Sequence, residues 1–61
     1  MDEIASRMAE AGRAEADGDY RQAGRLYARL GKDIQARHGR FDPRALDAFE
    51  GVARSNRKSA S

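Results

Sequence analysis

The sequence predicts an all-α fold of three helices, and three observations carry that prediction. Helix-forming Ala, Arg, Leu, Glu and Gln dominate, whereas strand signals are nearly absent, with one Val, two Ile and no Thr. Apolar residues recur at steps of three and four rather than two. Turn and cap residues interrupt the pattern twice, at Asp17-Gly18-Asp19 and from Gly39 to Pro43, the single proline.

The first helix is expected from about Asp2 to Ala16. Ile4, Met8, Ala11 and Glu15 fall on one face, with Ala5 and Gly12 beside it. Asp2 and Glu3 sit near the positive end of the helix dipole. The apolar stripe is thin, so this helix needs a close partner. Gly18 suits the left-handed residue that follows a helix end. Asp19 is then the cap of the next helix, with Gln22 three residues on.

The second helix is expected from about Tyr20 to His38. Tyr20, Ala23, Tyr27, Leu30 and Ile34 form one continuous stripe. Gly24 and Gly31 lie at its edge, and each costs about 1 kcal/mol of helix propensity relative to Ala. Two glycines on the same edge suggest that a neighbouring backbone comes close there. Gly39 is a natural stop, Arg40 and Phe41 form the link, and Asp42-Pro43 is a strong helix start.

The third helix is expected from Pro43 to about Ser55, with Leu46, Phe49, Val52 and Ala53 as its apolar face. The predicted core is therefore Tyr20, Ala23, Tyr27, Leu30, Ile34, Leu46, Phe49 and Val52, the same residues assigned to packing or self-association. Residues 1–55 make one module, and the polar tail 56–61 is expected to be frayed or disordered. Alanine supplies half of the apolar content, and a chain this short draws only about 3–5 kcal/mol from a single core. With no Cys there is no disulfide to staple it.

The stretch Gly18-Asp19-Tyr20, with Ala23 and Tyr27 following, resembles the turn and second helix of the tetratricopeptide repeat. Gly39 falls twelve residues after Tyr27 and Pro43 four after Gly39, which is similar to the kinesin-light-chain variety of the repeat. Phe49, Val52 and Ala53 match apolar positions of the next repeat's first helix. In the first helix Ala11 fits the small-residue site, while Arg7 and Glu10 stand where the family has large apolar residues and Ala14 where it usually has Tyr. The resemblance implies stacked helix hairpins and a binding role rather than catalysis. It covers about one and a half repeats, whereas such repeats need about three to bury a continuous core. Self-association, with a dimer favoured, is the expected remedy. The family's concave groove is lined by each repeat's first helix, which implicates Arg7, Arg44, Asp47 and Arg54.

Candidate chemistry is sparse. His38 is the only histidine and reads as a cation at a helix C-terminus. Without a second His or any Cys, a zinc site or catalytic dyad has almost nothing to draw on. Asp17-Gly18-Asp19 lacks the twelve-residue ligand pattern of a calcium loop. Glu10 and Glu15 are too far around the helix to act as a pair. The chain reads as a non-enzyme without metal or cofactor.

The charge pattern is more informative. Arg21, Arg25, Arg29 and Lys32 form a ridge on the second helix, opposite the tyrosine stripe. The first helix is acidic by comparison. The ridge reads as a solvated face, as a dock for an acidic protein, or as a phosphate-binding strip for nucleic acid. Ten acids against twelve Lys and Arg leave a net charge of only +2, and no aromatics interleave with the ridge, which weighs against nucleic acid. No basic leader or apolar run of membrane length is present, so a soluble cytoplasmic protein with a protein or peptide partner is expected.

Overall fold

In the computed structural model, residues 2–60 are described. They form α1 (Glu3–Ala16), α2 (Tyr20–His38) and α3 (Pro43–Ala60), with no strand among the described residues. Met1 and Ser61, the first apolar residue and the last residue of the expected tail, lie outside them.

Local cap chemistry sets nearly every boundary. The Asp2 carboxylate accepts from the Ile4 N–H at 3.0 Å and opens α1. α1 closes with Gly18 at φ +80°. The Gly18 N–H donates to the Glu15 carbonyl and the Asp19 N–H to the Ala14 carbonyl, the paired bonds of a Schellman ending. Asp19 then caps α2 by accepting from the Gln22 N–H at 3.3 Å. α2 ends at Gly39, whose φ of +100° suits a residue without a Cβ. Asp42 accepts from the Arg44 N–H at 2.8 Å, and Pro43 takes the first helical position, where no N–H is needed.

α3 runs to Ala60, five residues beyond the expected end, so residues 56–60 are helical rather than a frayed tail. Nothing between Asn56 and Ala60 breaks a helix. The Lys58 ammonium also reaches within 5.7 Å of the Tyr20 ring centroid and ties the last turns to α2.

α2 packs against both α1 and α3, which touch each other only slightly. The Cα trace measures 33 × 23 × 13 Å, wider than thick, because the outer helices lie on either side of α2. The buried core consists of Ala11, Ala23, Tyr27, Leu30, Ile34, Ala45 and Ala48. Ile4, Met8, Leu26, Phe49 and Val52 pack around it.

Four of the eight predicted core residues, all on α2, are buried: Ala23, Tyr27, Leu30 and Ile34. Tyr20, Phe49 and Val52 are half-buried. Leu46 is 50% exposed and is not a core residue, and Ala53 is exposed. α3 is rotated so that Ala45, Ala48, Gly51 and Ser55 face inward. The reason is the size of Tyr27. A Cβ at Gly51 would lie 2.6 Å from a Tyr27 ring atom, so the ring needs a bare backbone opposite it. Phe49 answers in the other direction, since a Cβ at Gly31 would lie 2.8 Å from its ring. What comes close to Gly31 is thus an aromatic side chain, not a neighbouring backbone.

Candidate interaction surface

Three of the four residues assigned to the concave groove are engaged inside the molecule. The Arg7 guanidinium, on α1, donates to Asp33 of α2 at 2.8 Å. The Arg44 guanidinium grips the Asp42 cap through Nε at 3.0 Å and Nη2 at 2.8 Å. The Arg54 guanidinium crosses from α3 to α1 and binds Glu15 through two bonds of 2.6 and 3.0 Å. Only Asp47 stands exposed without such a role. A fourth arginine, Arg37, pairs with Glu3 at 3.7 Å across the α1–α2 seam.

Glu15 is where all three helices meet. Besides Arg54 it accepts from the Tyr27 hydroxyl at 3.0 Å, and the Arg54 guanidinium lies 5.8 Å from the Tyr27 ring centroid. The Arg54 hydrogen bond pulls the Glu15 carboxyl below its ordinary pKa against the opposing effect of burial, with Tyr27 helping. Burial pushes the Tyr27 phenol up, and its bond to Glu15 adds to the shift. The Glu15 bond likewise raises Arg54. At neutral pH the three groups are an ionised pair and a neutral phenol, which is a structural clamp. The sequence held one signal for it, a carboxylate on the apolar face of α1.

Asp42 is shifted further. The Arg44 side chain, then the Arg44 backbone N–H, lower its pKa to about 2. His38 is exposed in the last turn of α2, where a cation complements the dipole. Among the described residues, no group of three or more His, Cys, Asp and Glu side chains is placed to hold a metal ion. No helix among them is long and apolar enough to cross a membrane.

The ridge has a different standing from the other arginines. Arg21, Arg25, Arg29 and Lys32 are all exposed. None of them makes an ion pair among the described residues. Arg21 and Arg25 also rim an open groove of about 400 Å³ between α2 and α3, with Gly24, Ala28 and Val52 along it. On the other flank of α2, Glu10, Asp17 and Asp19 border a second open groove. Tyr20 lines the groove beside Arg21, so one aromatic does adjoin the ridge.

Among the described residues two large apolar side chains remain outside, Phe41 at 82% and Leu46 at 50% exposure. They occupy the positions before the Asp42 cap and four residues into α3, the pair that packs together in a hydrophobic staple. In comparisons with known proteins, no family model, no curated protein and no solved structure matches the chain.

Proposed function

We propose that the chain is a small protein–protein interaction module, built like one and a half tetratricopeptide repeats, that self-associates and serves as an adaptor or regulatory binding subunit. The observation that carries this reading is the division of its polar side chains. Those between helices are consumed in holding the fold, and a row of cations without an ion-pair partner among the described residues is left over as contact surface, together with the exposed apolar Phe41 and Leu46. The repeat-like reading rests on the spacing of Gly18, Tyr20, Ala23, Tyr27, Gly39 and Pro43 in the sequence. A cytoplasmic location belongs to the same proposal, supported by the absence of cysteine.

Self-association is assigned to the corner of Phe41 and Leu46, because α3 already covers the α2 stripe within one chain. A second copy removes both side chains from water, and a two-fold arrangement does so for both chains at once. The test is sedimentation velocity of the parent chain and of a Phe41→Ser, Leu46→Ser variant. A parent dimer and a helical variant monomer are expected; equal masses for both would defeat the assignment.

The exposed, unpaired ridge also favours a second reading, a small basic nucleic-acid-binding protein. Four phosphate contacts imply a log–log salt slope of about −4 for duplex DNA. Failure to bind a DNA or RNA duplex at low salt would end this alternative.

A further inference from the structure

We propose that the face between α2 and α3 receives an acidic amphipathic helix from another protein, with the partner's carboxylates on the ridge and its apolar side chains in the groove. This deepens the interaction-module reading and rests on it.

The ridge asks for negative charge. Arg21, Arg25 and Arg29 stand one helical turn apart, where like charges repel, and Lys32 extends the row. Arg7, Arg37, Arg44 and Arg54 each find a carboxylate within the chain. Among the described residues the ridge cations do not, although Glu10 and Asp17 of α1 and the Asp19 cap border the groove on the other flank of α2. From Arg21 to Lys32 the row spans about 16 Å at the helical rise. A helix of about three turns, with Asp or Glu every three or four residues, matches that length and spacing.

The groove specifies the rest of the partner. Its lining is low along α2, where Gly24 and Ala28 carry little side chain, and α3 contributes the apolar Val52 beside the small polar Asn56 and Ser59. Packing does not demand glycine at position 24: a Cβ there would meet Asn56 at 3.7 Å and Ser55 at 3.8 Å, ordinary contacts. This differs from Gly31 and Gly51, where a Cβ would press on the Phe49 and Tyr27 rings at 2.8 and 2.6 Å. Gly24 is buried against Asn56 and Ser55 of α3, so the room in the groove comes from the small Ala28 beside it, and the channel next to a charged rim accommodates the edge of a helix.

Two other occupants fit less well. A second copy docked symmetrically through this face sets ridge against ridge. A phosphate backbone gains nothing from Ala28 and Val52 in the groove, and a nucleic acid broad enough to cover α2 meets three acids, Glu10, Asp17 and Asp19, against one base, Arg13, on its far flank. A helix seated between α2 and α3 avoids those acids.

The experiment uses the full chain and a fluorescein-labelled helical peptide of about fifteen residues, with Glu along one edge and Leu along the adjacent one. Its Glu→Gln version and a DNA duplex serve as comparison probes, and anisotropy is the readout. The acidic peptide should bind. Arg25→Glu with Arg29→Glu should weaken it about tenfold or more. Ala28→Gln, which fills the groove without changing charge, should weaken it about fivefold. Circular dichroism should be unchanged in both variants. No binding of the acidic peptide overturns the proposal. So does binding that is indifferent to Ala28→Gln and weaker than that of the duplex, which would make the ridge a polyanion site. Light scattering on the same samples separates this inference from the self-association reading. A dimer that ignores the peptide defeats only the docking site, and a monomer that binds it defeats only self-association.

Discussion

Two glycines with the same intrinsic helix penalty should respond in opposite directions to alanine. Gly24 lies within α2 and Gly51 within α3, and both are buried. Alanine gains about 1 kcal/mol of helix propensity at either site. At Gly24 the new Cβ meets its nearest neighbours at 3.7 and 3.8 Å, so the gain is kept. At Gly51 it would sit 2.6 to 2.8 Å from three Tyr27 ring atoms. The ring cannot swing clear, because its hydroxyl is bonded to Glu15 and its face adjoins Arg54. Overpacking of this kind costs about 3 kcal/mol at the upper end of its usual range. The net loss is then about 2 kcal/mol once the propensity gain is subtracted. In a domain of this size 1 kcal/mol moves Tm by about 4–8 °C. Thermal melts by circular dichroism should therefore show Gly24→Ala above the parent and Gly51→Ala well below it. If both variants melt higher, propensity alone governs these sites and the Tyr27–Gly51 contact is refuted.

Further predictions concern the polar groups. Tyr27→Phe removes the donor to Glu15 and should cost about 1 kcal/mol, read as a lower Tm at pH 7; an unchanged Tm would remove the clamp from the account. Ser55 is fully buried and its Oγ has no partner among the described residues, so Ser55→Ala should stabilise by about 1 kcal/mol in chemical denaturation. A loss of stability there would mean that the hydroxyl is satisfied after all. For pH, Asp42 titrates at about 2 in the fold against an ordinary 3.8, and Glu15 is lowered as well. Folded pKa values below the unfolded ones give stability that is complete above the ordinary carboxyl range and lost as pH falls through it toward 2. Acid unfolding should set in below about pH 4, and a Glu15→Gln, Asp42→Asn variant should show a flatter acid limb; an identical limb contradicts the assignment. Tyr27 has the opposite sign: its raised pKa means that stability is intact below 10 and erodes as pH rises beyond it.

Every helix boundary except the end of α3 was legible because its signals are local. Asp2, Asp19, Asp42-Pro43, Gly18 and Gly39 each act on backbone groups within a few residues. The stripe of α2 was legible for the same reason, being long and periodic. The inward face of α3 is not legible, because its largest residues, Leu46, Phe49 and Val52, mark a different face. The inward face is instead Ala45, Ala48, Gly51 and Ser55, which has little hydrophobic signal and is chosen by the bulk of Tyr27 on another helix. The candidate site divides in the same way. The ridge could be read directly, since exposure on the far side of a stripe follows from periodicity alone. The internal ion pairs of Arg7, Arg44 and Arg54 could not. Arg54 reaches Glu15 across 39 residues of sequence, and only the packing of α1 and α3 around α2 brings them together.

The central claim is that one chain folds by itself into a three-helix unit whose leftover surface then meets other chains. Light scattering across a dilution series, with helicity followed by circular dichroism on the same samples, tests it most directly. The account predicts a helical dimer at high concentration that falls to a monomer on dilution with its helicity retained. Helix lost in step with dissociation would contradict it, because folding would then depend on the second copy, and a monomer at every concentration would contradict self-association itself.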